Sequence, residues 1–480
     1  MNSTIASQPP AITLRPRVVM TPAATEAAQP GETVELSGAT ATPEGPSRLR
    51  QAFDGIVNSG GVGKAQLLQE NQAAWNARWK LVDGAKDTIH TQYFCWDKDV
   101  MGMALMGHMF KKALNDDVKI KLMVDATGDT FGTRGFKSHI GGKDYLQELV
   151  MTGNVEAKVY HPHWKKVIDQ ALSIGSTAIS ASNHDKILEV DGDRGITGGR
   201  NIGYEYFVHP DDVKGAWRDQ DVYFEGKETA HALRSAFEVE FGAPWIASPV
   251  RKDWLGNWVK RDIELLGAYK MMDLWLKDKP LNAEEKATLR GSEDARKLEA
   301  ERLMNDALKT LPEEGIERSA SWREKRNLRK LAEELVGYCE MKGSYNAPPP
   351  KIHDAEVKIV DKTSSVGIGT DQININLSKL AQGAEKSIFI ENPYVCLSDD
   401  TIAGLREAGK RGVQIVLVTD QWLSPIARFA RHVIATRTEV PSPWDSSAAL
   451  FMVAETLIGE ITRRLQNESA QRMSELERLR

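Results

Sequence analysis

An α/β protein built from two similar lobes is what this sequence predicts, on three observations. Apolar strand patterns alternate with helical ones from about residue 70, which favours a mostly parallel sheet. A strand–helix–strand unit recurs after about 295 residues, as expected of an internal duplication. Between the two copies lies a long run of charged helix formers.

Residues 1–47 are rich in Pro, Thr, Ala and Gly and lack apolar periodicity, so they read as a disordered leader. Residues 48–245 read as the first lobe. In it TIHTQYF (88–94) is a strand, VMGMALMGHMFKKAL (100–114) a helix with apolar residues at helical spacing, and VKIKLMVD (118–125) a second strand. Residues 246–350 read as a helical insert, closed by the breaker SYNAPPPK, whose mixed charge is that of a solvated helix face. Within it, the Trp-rich DWLGNWVKRDIELLGAYKMMDLWL (253–276) either packs as a core helix or rests on a bilayer, since aromatics suit that interface. Residues 351–440 read as a second, incomplete lobe. There GAEKSIFIENPYV (383–395) repeats GAKDTIHTQYF (84–94), and VQIVLVTDQW (413–422) repeats KIKLMVDATGD (119–129). Residues 441–480 read as a helical tail, amphipathic and charged at its end.

At 480 residues the chain exceeds what one core usually organises. Its net charge of −5 argues against non-specific attraction to nucleic acid, and no specific nucleic-acid partner is expected. The three cysteines, Cys95, Cys339 and Cys396, make no CxxC pair, so neither a zinc knuckle nor a disulfide framework is read. No apolar run approaches about 18 residues, and the N-terminus lacks a charged start followed by an apolar core. A cytoplasmic or membrane-peripheral location is therefore expected.

The chemistry concentrates in HDKILEVDGDRGITGGRN, residues 184–201. ILEV reads as a strand, so His184 and Lys186 project to one side and Asp191, of opposite parity, points away. DGDRG is a tight turn into the next strand. Gly198 and Gly199 permit close backbone approach, and Asn201 presents an amide to the same pocket. Lys and Asn suit the oxygens of a phosphoryl group, and a neutral imidazole can attack phosphorus as a covalent nucleophile. Positive side chains can stabilise the developing charge, so no metal and no cofactor are expected.

These residues resemble the HxKxxxxD signature of the phospholipase D superfamily, completed by its GGxN element: His184, Lys186, Asp191, Gly198, Gly199 and Asn201. The likeness covers about residues 70–245 and, more faintly, 351–420. It implies that His184 forms a phosphohistidine, that Lys186 and Asn201 bind phosphate, and that Asp191 is largely structural. It also implies a downstream acid that hydrogen-bonds and orients the nucleophile, matched by Asp219 in WRDQDVYFEG (217–226). A phospholipid substrate is expected, because GGRN carries Gly where nuclease-like members often carry Ser. Upstream, HPHWKKVID (161–169) contains a second HxK at His163 and Lys165, but Asp169 comes one residue too early and no GGxN follows.

The family pairs two HxK motifs, the second donating a proton to the leaving alkoxide. Here HxK occurs only at His163 and His184; His353 and His432 lack the lysine. Asp125 precedes His184 by 59 residues, and the same interval from Asp420 falls at 479, inside the charged tail. Three readings fit: a chain cut short relative to a two-motif enzyme, a homodimer in which a second copy supplies the other His184, or a non-catalytic phosphate- or lipid-binding scaffold. The expected activity is hydrolysis or phosphatidyl transfer on phospholipids, with a nucleic-acid phosphodiesterase as the alternative enzyme.

Overall fold

The computed structural model describes residues 46–56, 59–126, 145–161, 183–244, 246–251, 260–362, 372–391, 397–420 and 432–436, with the main chain alone at 418–420 and 432–436. All of these belong to one unit, 46–480. Most of the expected leader and tail lies outside the described residues, as does the 163–169 motif.

The strands of the larger sheet are β1 (Gly60–Leu68), β2 (Thr88–Tyr93), β3 (Lys119–Asp125), β4 (Val155–Tyr160), β5 (Ile187–Val190), β6 (Arg194–Gly198), β7 (Asp221–Glu225), β8 (Ala247–Pro249) and β9 (His353–Lys358). Their order is β8-β4-β3-β2-β5-β6-β7-β1-β9. The helix-connected strands β2, β3 and β4 pair in parallel, as the alternation predicts. The other pairs are antiparallel, so the sheet is mixed. The cause at β5–β6 is the turn Asp191-Gly192-Asp193, which is too short for anything but a hairpin. Asp191 and Gly192 take φ of 55° and 77°, left-handed values that Asp tolerates and Gly adopts freely.

Helices cover both faces. On one side lie α2 (Asn71–Asp83) and α3 (Val100–Asn115) over the main core, α4 (Tyr145–Met151) packs beside β4, and the short α1 (Arg48–Asp54) packs instead against residues 372–383. On the other face α5 (Lys227–Phe241) sets Leu233, Phe237 and Phe241 against Ile187, Met123 and Phe224. β5 therefore buries alternate residues on opposite sides, Leu188 and Val190 in one core and Ile187 in the other.

Beyond α3 stands the charged helical layer, α6 (Asp262–Lys277), α7 (Ala283–Gly291), α8 (Glu293–Thr310) and α9 (Trp322–Val336). The bilayer reading of 253–276 fails over its described part. α6 packs along α3; Trp275 is fully buried, and the His108 ring lies 4.4 Å from Trp79 and 4.8 Å from Tyr269. Residues 252–259 lie outside the described residues. α8 buries only Ala300, Leu303, Met304 and Ala307, which leaves its charges solvated as expected.

A second sheet holds β10 (Ser387–Glu391), β11 (Gln414–Asp420) and β12 (His432–Thr436), all parallel, with α10 (Gln372–Gly383) and α11 (Asp399–Lys410) packed on it. β9, which falls in the stretch read as the second lobe, pairs instead with β1 and extends the first sheet. Periodicity marks it as a strand but carries no information about its partner.

Candidate active site

The site grows from the end of β3. Asp125 closes that strand, and its carboxylate accepts the Asn183 N–H at 2.7 Å, fixing where the segment before β5 begins. Asn183 Oδ1 accepts the Asp185 N–H at 2.8 Å. The next residues are extended, so His184 and Lys186 share a side. Lys186, 3% exposed, brings its Nζ to 2.9 Å from His184 Nδ1. The Phe94 ring backs the pair, 4.9 Å from the imidazole and 5.7 Å from the ammonium.

Both groups are pulled toward neutrality. His184 is exposed, yet crowded enough that desolvation, reinforced by the Lys186 charge, lowers its pKa to about 4. Burial lowers Lys186 to about 8, against the pull of the Asp185, Cys95, Asp219 and Asp125 charges. Behind them Asp185 is raised to about 8 by burial and by the Glu240 and Asp361 charges. Gln92 Nε2 bridges Asp185 and Glu240 at 3.3 and 3.0 Å.

Asp191 lies at the far end of β5, as parity requires. Its carboxylate accepts the N–H groups of Lys86, Asp87 and Thr88 at 3.0, 2.8 and 3.0 Å, and Arg194 at 3.1 Å. Burial alone would push it up, but these donors outweigh that and hold it below the usual carboxylate range. It ties the β5–β6 turn to the start of β2 and does not reach the pocket.

Gly198 and Gly199 carry β6 past two carboxylates. A side chain at Gly199 would run into the Asp219 carboxylate, and one at Gly198 into Asp221. Asn201, 5% exposed, accepts the Cys95 N–H at Oδ1 across 3.1 Å and donates from Nδ2 to the Tyr206 hydroxyl at 2.9 Å. Between them Arg200 turns inward, fully buried. It donates to the carbonyls of Leu68, Gln69 and Tyr206 and to Asp221, at 2.8, 2.7, 3.1 and 3.1 Å. Arg78 Nη2 meets the same Asp221 at 3.0 Å, and all three side chains are buried.

One expected contact is not made. Asp219 does not hydrogen-bond His184; its Oδ1 accepts the N–H of Gln220 at 2.8 Å, and its charge acts on Lys186. An ammonium can only donate, so Lys186 occupies the Nδ1 lone pair of the imidazole that Asp219 was expected to orient. Neutral His184 in this arrangement carries its proton on Nε2.

Arg78, Arg200, Asp221 and Tyr206 were missed by the sequence reasoning. The available signal was an Arg and an Asp inside apolar strand and helix patterns, in AAWNARW and DVYFE. Among the described residues, Asp97, Asp99 and Glu205 bring carboxylate oxygens within 4.8 Å of one another, as a cation would need. Asp99 also caps α3 through Gly102 and accepts from Tyr204, a structural use. A cavity of about 930 Å³ lies elsewhere, between α2, the β6–β7–β1 face and residues 343–352; it excludes His184, Lys186 and Asn201.

The chain is similar to cardiolipin synthases. It is 26% identical over 170 residues to a probable cardiolipin synthase of Bacillus subtilis, covering 35% of this chain and 30% of that one. A Listeria monocytogenes cardiolipin synthase is 26% identical over 192 residues, 39% and 36% of the two chains. Cardiolipin synthase 2 of Bacillus anthracis is 31% identical over 160 residues, 33% and 27%. The similarity thus spans about a third of these relatives' own length. Among solved structures, a phosphatidylserine synthase of Haemophilus influenzae aligns at 12% identity over 88% of this chain and 75% of its own, with a TM-score of 0.42. A phospholipase D family member from Salmonella typhimurium aligns at 13% over 39% and 97%, with a TM-score of 0.27. A family model described as the SIS domain matches residues 397–459, which include α11, β11 and β12 and none of the residues around His184. With the full HxKxxxxD and GGxN signature in place and cardiolipin synthases as relatives in sequence, the chain belongs to the phospholipase D superfamily.

Proposed function

We propose that the chain cleaves or transfers the phosphodiester of a phospholipid through a phosphohistidine at His184. The observation that carries this is the pairing of His184 with Lys186 at 2.9 Å within a complete HxKxxxxD and GGxN signature. The cardiolipin synthase relatives favour a lipid substrate. A bound phosphoryl group draws the Lys186 ammonium onto its oxygens, and Nδ1 is released. The imidazole then changes tautomer, losing the Nε2 proton to solvent and gaining one at Nδ1, which donates to Asp219 and leaves Nε2 its lone pair for attack on phosphorus. The N–P bond forms as the P–O bond to the leaving alcohol breaks, and water or an alcohol later displaces the histidine. Asp191 has the structural part, and Gly198 and Gly199 make room for the acids behind the pocket.

The leaving alkoxide needs a proton, and a second copy presenting its own His184 would meet that need. Contact with a membrane at its surface follows from a lipid substrate, since no described helix is long and apolar enough to cross one.

Denaturing quench during turnover of a labelled phosphatidyl substrate tests the mechanism. Acid-labile, base-stable label should appear on His184, and His184→Ala should lose the label and at least ~10³-fold in rate. Equal background rates for both proteins would favour a binding scaffold instead.

A further inference from the structure

We propose that Tyr206 is a positioning residue of the phosphate pocket: its hydroxyl fixes the Asn201 amide so that the amide's second N–H and the phenol's own O–H face the bound anion. This rests on the phosphodiester reading of the His184 pocket and adds a donor that the family signature does not contain.

The orientation of Asn201 follows from donor rules. The Cys95 N–H is main-chain and can only donate, so the side-chain atom 3.1 Å from it must be the oxygen. The NH2 group therefore points the other way, at the Tyr206 hydroxyl 2.9 Å off, and spends one of its two hydrogens there. A phenol that accepts this bond keeps its own hydrogen to give, and among the described residues none accepts it. Burial holds the phenol protonated well beyond its ordinary range.

The phenol cannot easily turn aside. Its ring meets Trp217 edge-on, 4.8 Å between centroids at 82°, and its carbonyl accepts from the buried Arg200 at 3.1 Å. Residues 201–202 are in turn clamped to the end of β2: Ile202 donates to the Cys95 carbonyl at 3.1 Å and accepts from Asp97 at 2.7 Å. Tyr206 and Lys186 also share neighbours, for the charges of Cys95 and Asp219 act on both. In this proposal ammonium, amide and phenol supply three donors to the two non-bridging oxygens of a phosphodiester.

Tungstate, a phosphate mimic, provides the test on the full chain by calorimetry with wild type, Tyr206→Phe, Asn201→Ala and the double variant. Tyr206→Phe keeps the ring against Trp217 and removes one oxygen. It should weaken tungstate about tenfold, as should Asn201→Ala, and the double variant should bind more weakly than either single variant but by less than the product of the two losses. Melting temperatures should not separate Tyr206→Phe from wild type. Unchanged affinity in Tyr206→Phe, losses that multiply in the double variant, or a wild type that binds no tungstate would each overturn the proposal. In wild type alone, tungstate must also move the side-chain amide resonances of Asn201; unmoved resonances overturn it whatever the variants do. Coupled tungstate binding without label on His184 would leave Tyr206 standing and remove the covalent mechanism.

Discussion

Two strand–helix–strand units of one plan stand in different surroundings. In the first, β2 and β3 pair in parallel about α3, and every β2 residue after Thr88 is buried. In the second, β10 and β11 pair in parallel beside α11, and no β10 residue is buried. α3 buries thirteen of its sixteen residues because α6 lies over it, whereas α11 buries four of twelve. Both closing strands end in Asp, at 125 and 420. The decisive difference lies along one edge. β5, which leads directly from Lys186, pairs with the free side of β2; the matching side of β10 has no partner among the described residues. The repeated unit supplies a scaffold, and the chemistry comes with the strand laid against it.

The largest effect that would sharpen this contrast is on the buried charges found only beside the first unit. Asp221→Ala leaves the Arg78 and Arg200 guanidiniums buried without their carboxylate, and should cost about 3–5 kcal/mol in chemical denaturation. An unchanged midpoint would show that this network does not hold the first sheet together. Next come matched truncations: Ile89→Ala in fully buried β2 should cost about 2–4 kcal/mol. Phe389→Ala in β10, 61% exposed, should cost less than about 0.5 kcal/mol. Equal losses would mean that the second sheet is covered in solution and that the contrast is false. The smallest effect is in pH. The proposed mechanism needs His184 neutral and Lys186 charged, so on it kcat/KM should rise as pH passes about 4 and fall as it passes about 8. Each limb should approach about tenfold per pH unit. A profile flat from 6 to 10 would remove Lys186 from the anion-binding role.

Much of this contrast is legible in the residues, because it is local. ILEV at 187–190, the turn after it and the repeated strands 88–93 and 387–391 are set by alternation and by Asp-Gly turn chemistry. The outward turn of Asp191 follows from parity alone. What the sequence does not carry is partnership across distance. Nothing in His353–Lys358 says that it pairs with β1, where the partner of His353 is Ala65, 288 residues (353 − 65) earlier in the chain. Arg200 looks like a solvent-facing cation in a motif full of polar residues, but the carbonyls of Leu68 and Gln69 draw it inward. Asp219 matches the expected acid in position along the chain, yet which side chain holds Nδ1 depends on a competition between an amine and a carboxylate that spacing cannot decide.

The buried trio behind the GGRN turn has one more consequence. Two guanidiniums share a single carboxylate there, all three out of contact with water, within a chain whose overall charge is −5. Mobile ions thin out the pull of surface lysines within about 8–10 Å, but they cannot enter a packed interior. A field set by that trio therefore outlasts added salt that mutes the charges of the exterior.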